Sequence, residues 1–177
     1  ISKWSLCRHG SNGVTCMKSQ IEKAIQLRKE NKPEEALNLL AEILKFNPND
    51  PITNYQMAWT CDFMGKESEA APYYEKAIAN GLSGNDRQGA MLGLGSTYRC
   101  LGEYDKSLKT FNQAVLEFPA DRSFKVFRAL TLYNLGKTEE SVGELLIQLL
   151  DTTNDQSIKS YEKALRFYSN KLNETWK

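Results

Sequence analysis

The sequence predicts an all-α chain, a right-handed α-solenoid of four helix hairpins closed by a C-terminal capping helix. Three observations predict it. Four columns of residues recur at one set of intervals, turn-forming residues punctuate the runs at matching places, and a final apolar stripe follows the fourth repeat. A length of 177 residues suits one domain or a short array of repeats. The apolar share of 41% and charged share of 25% are ordinary for a folded chain.

Ala24, Ala58, Gly95 and Ala129 form the first column, and Leu27, Cys61, Tyr98 and Leu132 the second. Ala36, Ala70, Ser107 and Ser141 form the third, and Leu40, Tyr74, Phe111 and Leu145 the fourth. Every column steps by 34, 37 and 34 residues, an agreement unrelated segments would not share. The first and third columns hold only Ala, Gly or Ser, the sizes needed where two helices of one hairpin approach closely. The second and fourth are mostly large and apolar, and fill the layer between neighbouring hairpins. Asn31, Gly65, Gly102 and Gly136 stand near the end of each first helix, where a left-handed residue closes it. Pro48 and Pro119 fall at the ends of second helices, with Leu82 in the equivalent place of the second repeat.

Taken in chain order, residues 1–16 carry Gly and Ser, no acid and no helical apolar period. They are expected to be an expression leader or a disordered tail, with Met17 as the native start, and hold no apolar stretch for a secretory signal. One domain is expected over 17–175. Its repeats span 17–50, 51–84, 88–121 and 122–155. Asn85, Asp86 and Arg87 account for the one 37-residue step, either by lengthening the turn or by adding a turn to the third repeat's first helix, with Asn85 or Asp86 as N-cap. Residues 156–175 are predicted to form a single helix. Its stripe of Ile158, Tyr161, Leu165, Tyr168 and Leu172, opposed by Lys159, Glu162, Lys163 and Arg166, suits a cap on an open stack end.

These columns and the 34-residue period resemble the tetratricopeptide repeat. The stretches NGLSGNDRQGAMLGLGSTYRCLGEYDKSL and FPADRSFKVFRALTLYNLGK are further similar to small single-domain bacterial members of that family, mostly of unassigned function. That resemblance implies a bacterial, cytoplasmic protein that binds other polypeptides in a concave groove built from first helices. One subgroup grips a peptide's terminal carboxylate with Lys and Asn. Here Ile21 and Ile25 replace that pair, Gln56 replaces a second Asn, and Gly89 and Gly93 stand where Lys and Arg would be, so the clamp is absent.

Projecting the first helices onto that geometry directs Tyr55, Gln56, Trp59 and Asp62 toward the groove from the second repeat. The third repeat offers Leu92, Ser96 and Arg99, and the fourth Val126, Phe127, Leu130, Tyr133 and Asn134. Aromatics rimmed by polar groups suit an apolar or amphipathic partner segment. A homodimer or structural homo-oligomer using the same face, or a peptide-sensing regulatory protein, are the alternatives, and the terminal helix is a candidate occupant of the groove.

An enzyme is not expected. The one histidine, His9, lies in the first sixteen residues, and the carboxylates spread along helix surfaces, as at Glu34-Glu35 and Glu139-Glu140. Gly93-Leu94-Gly95 lacks the third glycine and the preceding strand of a phosphate loop, and tight helix packing explains it better. Four cysteines form no C-x-x-C pair, so neither metal nor cofactor is expected, and Cys61 and Cys100 read as helix-packing residues. The net charge of +1 argues against nucleic acid, and no apolar run approaches the roughly eighteen residues of a membrane span.

Overall fold

The computed structural model of the chain describes residues 11–176, with side chains from residue 17 onward. Four hairpins follow one another: α1 (Ser11–Lys29) with α2 (Pro33–Phe46), α3 (Pro51–Phe63) with α4 (Glu67–Ala79), α5 (Gly84–Cys100) with α6 (Tyr104–Glu117), and α7 (Ser123–Asn134) with α8 (Thr138–Thr152). The described residues contain no strand. Of the segment expected to be a leader or tail, residues 1–10 lie outside the described residues, while α1 takes in residues from Ser11.

Local chemistry explains the boundaries. Pro33 and Pro51 open α2 and α3, where a missing N–H costs nothing because it would have no helical acceptor. Asp50 caps α3 by accepting from the Thr53 backbone N–H at 2.7 Å and from its hydroxyl at 2.6 Å. Asn31, Gly65, Gly102 and Gly136 close the first helices with φ between 59° and 76°, the left-handed conformation expected of them. The three extra residues before the third repeat go into its helix: α5 runs for 17 residues against 13 in α3. Because α5 begins at Gly84, Asn85 and Asp86 lie inside its first turn rather than capping it.

Two compact units make up the chain, Ile1–Gly93 and Leu94–Lys177. In the first, Ala24, Ala36, Ala58 and Ala70 are at most 1% exposed, and the large core residues are Leu40, Ile43 and Tyr74. The Tyr74 ring lies directly on Gly93, where a Cβ would stand 2.5 Å from the ring Cζ. The second unit repeats the device: Phe111, fully buried, lies on Gly95 with the same 2.5 Å clearance to its Cζ. Serine in the third column adds a bond that alanine cannot. Ser107 donates to the Gly95 carbonyl at 2.7 Å and Ser141 to the Ala129 carbonyl at 2.7 Å, each tying the two helices of its hairpin. Ser107 is also hydrogen-bonded to the Thr131 hydroxyl, 2.9 Å away, so hairpins three and four meet through a buried polar contact.

The single helix predicted for 156–175 is broken into α9 (Gln156–Lys159) and α10 (Glu162–Tyr168). Serine chemistry breaks it. The Ser160 hydroxyl donates to the Ser157 carbonyl, and the Tyr161 N–H turns back to Ile158 in a tighter, three-residue bond. Ser169 and Asn170 end α10, and the Ser169 carbonyl then sits against Gly143 of α8 so closely that no side chain fits there. Arg166 bridges Asp151 and Glu162, and Asn173 donates to Glu139. The segment therefore lies on α8, through backbone contact and polar bonds. The stripe expected to cap an open end is not buried: Tyr161 is 66% exposed and Tyr168 43%.

Candidate functional site

In the first unit the site grows from α1 and α3. Trp59 is 46% exposed, standing on the outer face of α3. Beneath it lies Arg28, from the last turn of α1, with its guanidinium carbon 4.2 Å from the Trp59 ring centroid. Arg28 is 5% exposed and is held by neutral acceptors: the Gln56 carbonyl at 3.3 Å, the Gln56 side-chain oxygen at 2.9 Å and the Thr60 hydroxyl at 2.9 Å. Burial pulls its pKa below the ordinary guanidinium value, opposed by Tyr55 and Tyr74. Tyr55 stacks on Trp59 at 5.8 Å and meets Tyr74 at 6.2 Å. Burial raises the pKa of both phenols, and the Tyr74 hydroxyl is bonded to Asp62.

The site residues expected to point outward from α3 are thus divided. Trp59 is exposed and Asp62 half-buried, but Tyr55 and Gln56 are buried, at 7% and 4% exposure. The Tyr55 hydroxyl end packs against Gly89, and Gln56 is turned inward by the arginine it supports. Leu92 is half-buried in α5.

Ser96, Arg99, Phe127, Leu130, Tyr133 and Asn134 belong to the second unit. Tyr133 is 63% exposed and Leu130 39% on α7, and the half-buried Arg99 donates to Asn134 at 3.3 Å. The Arg99 Nε is buried without an acceptor. Phe127 leans inward on Phe111, their centroids 6.1 Å apart, and Ser96 is half-buried. Val126, also half-buried, completes the set expected from α7.

A family profile described as tetratrico peptide repeat matches residues 51–172. The chain belongs to the tetratricopeptide repeat family. Solved structures of tetratricopeptide proteins share the fold. YrrB, described as having an unusual peptide-binding site, superposes with a TM-score of 0.67 at 18% identity, over 86% of this chain and 77% of its own. MamA from Desulfovibrio magneticus RS-1 gives 0.67 at 19% identity, over 88% of each chain. Repeats of a putative kinesin light chain from Podosopora anserina give 0.65 at 18% identity, over 89% and 88%. No curated protein sequence matches the chain. Tetratricopeptide repeats are in general protein-interaction modules rather than enzymes, which is the class of function that the family assignment brings.

The tetratricopeptide scaffold offers one further hollow, of about 750 Å³, in the second unit among α6, α7, α8 and Ser169-Asn170. Its strongest charges are already matched: Arg128 meets Glu144 at 2.5 Å and Asn112 at 3.0 Å, and Lys137 lies 3.5 Å from Glu140. Among the described residues no group of three metal-binding side chains occurs, and no helix is long and apolar enough to cross a membrane. Cys61 is buried, and its thiol is pushed up to about 11 by that burial, whereas Cys100 is exposed at the end of α5 instead of packed.

Arg28 is the residue that sequence reading missed. It looks like one more charge in the basic end of α1, beside Lys29. Its partners lie 28 and 32 residues onward, close to one repeat length, so its counterpart is the next first helix rather than its own neighbourhood.

Proposed function

We propose that this chain is an adaptor or scaffold whose first-helix faces hold an apolar or amphipathic segment of a partner polypeptide. The observation that carries this reading is Trp59: a large aromatic ring half in solvent, supported from beneath by Arg28 and from the side by Tyr55. A rigid, pre-placed aromatic gains contact area without ordering cost, which is how aromatic anchors come to dominate interfaces. Tyr133 and Leu130 present a second apolar patch on α7, beside the Arg99–Asn134 pair. The description of YrrB as a peptide binder agrees with such a use of the fold.

Selection of segments from a displayed peptide library, followed by affinity measurement on purified variants, tests the proposal. Trp59→Ala should weaken segments that dock on the first unit, and Tyr133→Ala segments that dock on the second, by about thirtyfold, corresponding to the roughly 2 kcal/mol of a hot-spot aromatic. Unchanged binding in both variants, with folding intact, removes the first-helix faces as the site. A stable dimer in light scattering that both substitutions dissociate would instead assign these faces to self-association.

A further inference from the structure

We propose that the open edge of Arg28 seats a carboxylate carried by the partner segment that docks on Trp59; this rests on the reading of the Trp59 face as a docking surface. A guanidinium has five N–H donors and keeps its charge at all working pH values. Nη1 uses two of them on the Gln56 carbonyl and the Thr60 hydroxyl, and Nη2 uses one on the Gln56 side chain. The Nε–H and the second Nη2–H find no acceptor among the described residues. Nε and Nη2 share one edge of the guanidinium plane, the edge a carboxylate can meet with both oxygens.

The charge itself is also unanswered. Buried charges in folded proteins are ordinarily paired, because an ion removed from water without a counter-ion is unfavourable. Every bonded partner of Arg28 is neutral. Of the acids in this region, Asp62 is engaged with the Tyr74 hydroxyl and Glu30 with Gln26 and Lys32 at the solvent-exposed end of α1, while Asp86 acts on the Tyr55 phenol and is not a bonded partner of Arg28. Arg28 keeps 5% of its surface exposed. The Trp59 ring over the guanidinium marks where an apolar anchor would sit. A segment with an aromatic or aliphatic anchor and a carboxylate within one or two residues of it meets both features together. The carboxylate can be an acidic side chain or a chain terminus.

The test uses the full chain, ¹⁵N-labelled, with NMR observation of the Arg28 Nε–H and the Trp59 indole N–H. Benzoate supplies the ring and the carboxylate, benzamide the ring alone. Benzoate is expected to shift both signals saturably and to bind at least about tenfold more tightly than benzamide, the advantage of a charge-assisted bond in a desolvated site. Arg28→Gln should abolish that preference, and Arg28→Lys, which keeps a charge but not the two-pronged edge, should lose most of it. N-acetyl-Phe-Glu-amide and N-acetyl-Phe-Gln with a free terminus then separate the two sources, the tighter one naming the carboxylate. Equal shifts from benzoate and benzamide, or no benzoate shift at Arg28, overturn the proposal in the unmodified protein, whatever the variants do. An equal response to inorganic phosphate also overturns it, since it marks general anion attraction. If both probes move Trp59 alike while Arg28 stays still, the docking surface stands and only the carboxylate seat falls.

Discussion

Gly95→Ala is the sharpest test of how the second unit is packed. The new Cβ would stand 2.5, 2.6 and 2.9 Å from Cζ, Cε1 and Cε2 of Phe111, against a comfortable carbon–carbon distance of about 3.5–4.0 Å. The ring must therefore retreat by about 1 Å, and it is fully buried. Overpacking of this kind costs about 1–3 kcal/mol. Alanine returns about 1 kcal/mol through its better helix propensity. Sterics outweigh propensity, with a net loss of up to about 2 kcal/mol. Urea unfolding followed by far-UV circular dichroism should show the midpoint falling by roughly 0.5 M, for a slope of about 2–3 kcal/mol/M. Phe111→Leu shortens the obstructing side chain, so the double variant should show a favourable coupling of about 1 kcal/mol. Were Gly95→Ala alone to stabilise the protein by its propensity gain, the close approach of ring and backbone would be refuted.

Other consequences are open to similar tests. Ser107→Ala should cost about 1–2 kcal/mol and Ser141→Ala about 1 kcal/mol in the same assay, because Ser107→Ala breaks a second contact and leaves the Thr131 hydroxyl with its longer, 3.2 Å bond to the Phe127 carbonyl. Gly143→Ala should lift the Ser169 backbone from α8, making the 162–176 segment sensitive to brief proteolysis while the helical signal of the hairpins is retained. Maleimide labelling of the native chain, mapped by mass spectrometry, should modify Cys100 promptly and Cys61 only after unfolding. The buried thiol also sets a direction with pH. An unfolded Cys61 ionises near its ordinary value of 9.0 and the folded one near about 11, so folded protein holds the extra proton between them. The Cys61 contribution to stability is therefore intact below pH 9 and is lost as pH rises toward 11, a slope that Cys61→Ala should reduce.

Much of the fold could be read from spacing because each repeat solves the same packing problem. The column Ala36, Ala70, Ser107, Ser141 is buried throughout, and the left-handed turn falls on Asn31, Gly65, Gly102 and Gly136 alike. Periodicity served less well where the chain stops repeating. The stripe from Ile158 to Leu172 has helical spacing, yet local serine bonding splits it and leaves its tyrosines in solvent. Projection onto a repeat face placed Trp59 and Tyr133 outside, but it could not see that a cation from the preceding repeat draws Gln56 inward, or that a glycine on α5 makes room for the Tyr55 hydroxyl. Those are interactions between elements about one repeat or more apart, invisible to any window short enough to show a helix.

A chain of similar hairpins has a hazard that dissimilar domains do not: each unit can pair with the wrong sibling, in its own chain or another's. Greasy surfaces of alanine and leucine tolerate such exchange. The Arg28 contact does not, because it demands an amide and a hydroxyl one turn apart on the facing helix, as Gln56 and Thr60 provide. At the places one repeat further on, Gly93 and Thr97 lack the amide, and Phe127 and Thr131 lack it too. A misassembled α1 would bury the same ion with one acceptor fewer, so this arginine favours the one facing helix that carries both groups.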